Sequence, residues 1–470
     1  MAVATDSKTT DATRDNMIRE SLFPSDSCRD GPESMKPTRE NSMDSHGCEK
    51  PTKEVGVSNW GAVSNILTTA VGVGMLALPN AIAMAGYIVG FTMFLACIGI
   101  ALLCCNLLQR SMWSAMEWQS ARDPANPVRT YEDIGQVAFG SWGKHSVSLA
   151  LHSALVGCSC IIALLMGKAA HRLVPLISQA MWIIIAIAVM LPFVWLRTMK
   201  HIGFVSATLG TASIFALTIT VVVAGFLYMG NDGPFDWLEG SPARVYSAGM
   251  SSFWGLGTAF GTLTFAFAVT CTLPTILYDM EHKKDATKVI SAGVAATSAV
   301  YGTVAVCGYI GFGSLLIAKG VEDIFSVFEP GTMLATCTDV LVLLVCVTHY
   351  AVMINPSCRV LENAFAWSRD NVIKGSLVRT LLAVFTAVIA IYCGKFTALV
   401  DLIGSISFAC VHMVFPPMFY LKLRTMMGHS IWSTQREKAL TVACAVIVFL
   451  AVLGGTIGSI SSIRRFIGTA

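Results

Sequence analysis

Eleven apolar stretches of membrane-spanning length recur along this chain. They lie near 58–82, 85–108, 146–168, 178–196, 202–228, 251–278, 290–313, 332–354, 376–394, 396–421 and 439–460. About 20 apolar residues are needed for a helix to cross a bilayer, where backbone N–H and C=O groups find no water and must be satisfied internally. Composition agrees: 54% of residues are hydrophobic and 13% charged, where a soluble chain of this size would carry roughly a quarter charged. The reading is an all-α membrane protein of eleven transmembrane helices, with no room left for a separate soluble catalytic domain.

Residues 1–54 stand apart. They are rich in Asp, Glu, Lys, Arg, Ser and Thr and cannot bury enough surface to offset chain entropy, so they are expected to form a disordered tail. The membrane domain is expected over 55–463. The tail lacks the apolar core of a secretory signal, and the first span is expected to serve for insertion. Its eight basic and eleven acidic residues make the membrane part slightly basic within a net charge of +3. No dense basic patch suggests a nucleic-acid partner; the bilayer is the partner that this composition requires. With the tail inside, the inner loops hold about sixteen Lys and Arg and the outer ones about seven. That excess predicts a cytoplasmic N-terminus and an outside C-terminus.

Segments one and six share an oddity. The first, SNWGAVSNILTTAVGVGMLALPNAIAMAGYIVG, is interrupted by Gly72, Gly74 and Pro79; the sixth, FWGLGTAFGTLTFAFAVTCTLPTILY, by Gly255, Gly257, Gly261 and Pro274. Freed backbone groups cost several kcal/mol each in lipid, on the order given for buried polar groups, so breaks persist only where they are buried or line a cavity. Small residues also serve close helix packing. Matched interruptions in two halves nevertheless predict a transporter site between them. Thirteen of fifteen cysteines lie in or beside apolar spans without metal-ligand spacing and read as packing residues. No cofactor motif, HExxH, GxSxG or P-loop pattern occurs, which argues against an enzyme.

In several patches the chain resembles the amino acid/auxin permease family of amino-acid transporters, within the amino acid–polyamine–organocation superfamily. These are GAVSNILTTAVGVGMLALPNAIAMAGY, TYEDIGQVAFG, FAFAVTCTLPTILYDMEHKKDATKVI, YGTVAVCGYIGFG and LVDLIGSISFACVHMVFPPMFYLKL. They occur in the family's order, and length and tail resemble permeases of unicellular parasites. The resemblance implies a LeuT-like inverted five-helix repeat plus one extra helix, with broken helices 1 and 6. It also implies alternating access around a free amino acid, at the plasma membrane or, as the rival, at a vacuolar or lysosomal-type membrane.

The implied site gathers Thr68, Thr69, Val71, Gly72, Val73 and Gly74 from segment one with Phe265, Phe267, Ala268 and Thr270 from segment six. Unpaired amides around Val71 to Gly74 would take the substrate carboxylate, aided by the helix dipole. Carbonyls near Thr68 and around Phe265 to Ala268 would take its ammonium. Sodium-coupled members carry Asn at the position of Thr68 and a proton-coupled branch carries His at that of Asn65. A His common in relatives falls at Thr270. The missing Asn makes sodium independence the expectation. With both histidines missing as well, neither ion mechanism carries over from the family, and a proton-coupled and a facilitative mode both stay open.

Intramembrane ionisable groups are functional suspects because burial is costly. Asp401 and Asp339 are the main carboxylates, candidates for carrying charge or for meeting a cationic arginine or lysine side chain; the cargo is thus a neutral or cationic amino acid. His152, His349 and His412 could carry a proton, although interhelical hydrogen bonding is the commoner use. An amino-acid sensor using the same fold to signal is the second class of function.

Overall fold

Every one of the eleven apolar segments is helical in the computed structural model, which describes residues 56–196, 200–228, 252–313, 316, 322–364 and 372–468. The tail expected over 1–54 and the outer loop near 229–250 fall outside these residues. Segment one is two pieces, α1 (Asn59–Ala70) and α2 (Leu78–Ala85), joined by a 3-10 turn over Val73–Ala77. There follow α3 (Tyr87–Ser120), α4 (Tyr131–Leu173), α5 (Gln179–Trp195) and α6 (Lys200–Tyr228). Segment six is again two pieces, α7 (Phe253–Ala266) and α8 (Leu273–Asp279), around a 3-10 turn at Val269–Cys271. The chain continues through α9 (Ala286–Phe312), a 3-10 turn at Ile324–Val327, α10 (Met333–Ala364) and α11 (Val372–Cys393). It ends with α12 (Phe396–Ile403), π-helical turns over Gly404–Phe408 and Cys410–Val414, α13 (Phe415–Met426) and α14 (Gln435–Ile467).

Among the described residues, nine helices are long and apolar enough to cross a membrane, with α7 and α8 counted as one of them. The two pieces of segment one reach that length only together, bent by 49°, and α5, with 17 residues, falls short of it. The expected count of eleven spans is therefore matched in helical segments but not in crossings of full length. The last helix also runs past the expected end at 463 to Ile467, with Arg464 and Arg465 in its final turn facing the negative end of the dipole.

Local sequence explains the punctuation. Pro79 and Pro274 each sit in the first turn of the second piece, where a missing N–H costs nothing. TYEDIGQVAFG starts a helix through a capping box: Thr130 Oγ1 accepts from Asp133 N, and Asp133 returns an acceptor to Thr130 N at 2.9 Å. Asp serves here where Glu is usual. Gly140, at φ +66°, turns this surface piece sharply into the membrane part of α4.

The interrupted pieces lie among α3, α4, α9 and α10, with α2 packed on α7, and α1 on α9. Further out, α7, α12 and α14 meet through small residues. A Cβ on Gly404 would lie 2.0 Å from the Gly261 carbonyl oxygen, so these two backbones touch only because both positions are glycine. Exposed Val442, Val446, Phe449 and Leu453 on α14 give a lipid-facing surface.

Candidate functional site

The break in segment one begins at Val71, whose N–H still donates to Leu67 O at 2.8 Å. Gly72 is then extended, and the amides of Gly72, Val73 and Gly74 have no backbone acceptor among the described residues. In segment six the Phe267 amide closes the last turn of α7 on Leu263 O at 3.0 Å. Both breaks border one cavity of about 60 Å³. It is lined by Thr69, Ala70, Gly72, Val73 and Gly74 on one side and by Phe265, Ala266, Ala268, Val269, Cys271 and Thr272 on the other. Leu155, Cys158 and Ile162 of α4, His349 and Met353 of α10, and Phe408 complete it.

Of the residues expected at the site, Thr69, Gly72, Val73, Gly74, Phe265 and Ala268 are brought together here. Four are not. Thr68 turns its hydroxyl back to Ser64 O at 2.9 Å, and Val71 is fully buried away from the cavity. Phe267 packs edge-on against Phe94 and Tyr301, each at 5.4 Å. Thr270 Oγ1 donates to Val411 O at 3.3 Å and lies 3.2 Å from His412 Nδ1. The histidine that the resemblance would put at Thr270 is absent, yet an imidazole from the Cys410–Val414 turn lies beside that position.

The carboxylates also lie elsewhere. Asp401 is buried, accepting from Thr262 Oγ1 at 2.5 Å and facing Arg465 Nη1 at 3.4 Å. Asp339 is gripped by Arg172 Nε at 3.0 and 3.1 Å. Lys168 pairs with Asp323 nearby, and both Lys168 and Arg172 lie over the Phe325 ring, at 5.5 and 5.7 Å. This ionic layer holds the Ile324–Val327 turn against the core, where Ile324 and Pro79 both press on Gly308. At the opposite end, Val57 N donates to Asp279 O at 2.8 Å and Glu281 N to Val57 O at 3.0 Å. Asn59 Nδ2 adds a bond to Asp285 at 3.0 Å.

Two side chains that matter most here were not singled out for this place by the sequence. Tyr301 of α9 is fully buried, and its hydroxyl reaches both Ala70 O and, at 3.0 Å, Ala266 O, the carbonyls that end α1 and α7. A hydroxyl has one proton to donate, so it serves one of these carbonyls at a time. A buried Tyr in YGTVAVCGYIGFG signals that a partner exists, but not which. His349 Nε2 lies 3.4 Å from Thr68 O, and Thr272 Oγ1 donates to Thr69 Oγ1 at 3.3 Å across the breaks.

Comparison with known proteins agrees with this architecture. Amino acid transporter AVT1E of Arabidopsis thaliana is 26% identical over 420 residues, 87% of this chain and 73% of that protein. The vesicular inhibitory amino acid transporter of Xenopus tropicalis is 24% identical over 422 residues, 85% and 77% of the two chains. Among solved structures, that of MhsT in complex with L-phenylalanine is similar in fold, with a TM-score of 0.50 at 13% identity, covering 87% of this chain and all of that one. The family model described as transmembrane amino acid transporter protein matches residues 56–461. With helices of spanning length throughout that range, the chain belongs to the transmembrane amino acid transporter family, the amino acid/auxin permeases, and is a multi-pass membrane transporter of amino acids rather than an enzyme.

Proposed function

We propose that the protein carries a small neutral amino acid by alternating access around the two interrupted segments, independently of sodium. One observation carries this reading: a small cavity has unpaired amides at Gly72–Gly74 on one wall and, at its edge, the carbonyls of Ala70 and Ala266 sharing a single hydroxyl proton. The amides, at the start of the turn leading into α2, suit a carboxylate. The carbonyl left without the Tyr301 proton suits an ammonium group. Asp, Glu, Lys and Arg are all missing from the lining, which favours a neutral side chain. A volume of about 60 Å³ favours a small cargo.

Asp401 and Asp339 already face arginines, which weakens their assignment as counter-charges for arginine or lysine. The Thr68 hydroxyl, turned back onto the Ser64 carbonyl of its own helix, supports sodium independence. Eleven crossings in an inverted repeat, a cytoplasmic N-terminus and a disordered tail over 1–54 belong to the same reading. The plasma membrane is its place of residence. An internal membrane is the second reading, favoured by the vesicular relative.

Uptake of a panel of labelled amino acids into vesicles holding the purified protein tests it, with sodium replaced by choline. Saturable uptake of small neutral amino acids, unchanged in choline and absent for arginine and lysine, is expected. Binding without flux would mean a sensor. Steep sodium dependence or preferred cationic uptake would overturn the cargo and coupling assignments.

A further inference from the structure

On the wall of the same cavity, one buried side chain turns both of its ring nitrogens toward backbone carbonyls. Thr68 O is the carbonyl that would bond to the Gly72 amide if α1 continued, and the break leaves it without that donor. His349 of α10 fills the gap from a neighbouring helix, with Nε2 3.4 Å away. Its other nitrogen, Nδ1, lies 2.8 Å from Val345 O and 3.2 Å from Thr348 Oγ1. A neutral imidazole has one N–H and an imidazolium has two. Both nitrogens here face carbonyl oxygens, so the neutral ring turns a lone pair toward one of them, and the cation donates to both. The ring also lies at the carboxyl end of α1, where the helix dipole favours positive charge.

We propose that His349 is the proton-coupling group of this transporter: its protonated ring ties the carboxyl end of α1 to α10, and loss of the proton releases that tie. This rests on the transport reading above and adds the coupling ion and its seat. The proton comes from water on the side of higher proton concentration, resides on Nε2 during translocation, and leaves to water on the other side. No bond of the amino acid changes.

The surroundings leave His349 as the local titrating base. The facing elements α1, α5 and the 3-10 turn after α1 carry no titratable residue, nor does α6 over 208–227. Gly210 of α6 lets that helix lie on the ring, since a Cβ there would stand 3.0 Å from His349 Cε1. From α4 and the turn after α7, the titratable groups sharing the cavity are the thiols Cys158 and Cys271; Cys346 lies on α10 itself. The charged pairs that touch α10 are distant along it. Arg172–Asp339 lies about 15 Å one way; the other way Arg379 meets α10 at Asn355, about 9 Å along, and pairs there with Glu362, about 20 Å along, by helical rise. His152, with Glu132, meets α10 at Ser357, about 12 Å along.

The test uses full-length protein in vesicles loaded with a pH-sensitive dye. Adding a transported neutral amino acid to unmodified protein should drive proton entry, and an inward proton gradient should raise uptake several-fold. In His349→Gln the dye signal and the response to the gradient should vanish, while counterflow exchange of labelled for unlabelled amino acid, weakened several-fold because the ring lines the cavity, stays measurable. An unmodified protein that transports without moving protons overturns the proposal, and so does a His349→Gln protein still driven by the gradient. Loss of exchange together with binding in His349→Gln and His349→Asn would make the ring a substrate or structural contact instead. Absence of exchange in the unmodified protein would strike the transport reading, so the two failures are distinguishable.

Discussion

Gly72 and Gly74 are two residues apart and answer to different constraints. A Cβ on Gly74 would lie 2.8 Å from the Phe265 ring, whereas one on Gly72 meets nothing within 4 Å and projects into open space beside the cavity. Gly74→Ala should therefore cost about 1–3 kcal/mol of stability, as overpacking does, seen as a lower melting temperature. Gly72→Ala should leave the melting temperature unchanged and raise the KM for uptake about tenfold, ~1.4 kcal/mol of binding. Equal behaviour of the two variants would mean that Gly72 does not face the cargo. Tyr301→Phe removes the proton shared by Ala70 O and Ala266 O, and leaving those buried carbonyls unmet should cost about 1–3 kcal/mol. A Tyr301→Phe protein with unaltered stability and uptake would show the hydroxyl to be idle. At this scale the glycines were legible because a helix break is written in adjacent residues. Tyr301 and His349 were not, because their partners stand 231 and 281 positions away in sequence. Periodicity carries no record of such pairings.

Among the elements, α7, α12 and α14 converge on one buried acid. Asp401 of α12 joins Thr262 of α7 to Arg465 of α14, beside the contact of Gly261 with Gly404. A carboxylate there binds helices together, and on the proposed reading that is its role rather than reading the cargo. Asp401→Asn should thus lower stability, on the order of 3 kcal/mol for one partner removed from a buried pair, while leaving the order of preference among amino acids unchanged. A variant of normal stability with altered preference would return Asp401 to the substrate site. Hydropathy alone located every helical segment, because a twenty-residue apolar run has one backbone solution in lipid. Yet α3, α4 and α10 run ten residues or more beyond their apolar stretches, where polar ends continue the helix outside the apolar run. Side assignments within an element were less accessible. Asp401 looked like a free charge deep in segment ten because Arg465 lay beyond the expected end of the membrane domain.

For the molecule as a whole, two sets of contacts bridge distant segments, the ionic layer over Phe325 and the Val57 backbone bonds, and under the proposed transport cycle they serve as the closures on the two sides of the cavity. Under alternating access each closure must open in turn, and Cys158 and Cys271 on the cavity wall become reporters of it. A membrane-impermeant thiol reagent should inactivate a variant keeping only Cys158, with bound amino acid protecting it. Inactivation that is indifferent to the amino acid would mean that the thiol reacts outside the transport path. The overall plan was readable from the order of the family-like patches, but neither closure was, since each joins segments distant in the chain through a handful of atoms. The two closures also differ in what mutation can reach. The ionic one is built from Lys168, Arg172, Asp323 and Asp339, any of which a single codon change can weaken or strengthen. The other is mainly main chain, guarded by Gly56, where a Cβ would stand 2.8 Å from Glu281 Cα. Natural variation can therefore retune opening at the ionic end in small steps, while the backbone end is inherited almost unchanged, so descendants of this chain should diverge in how they admit cargo from one side far more than from the other.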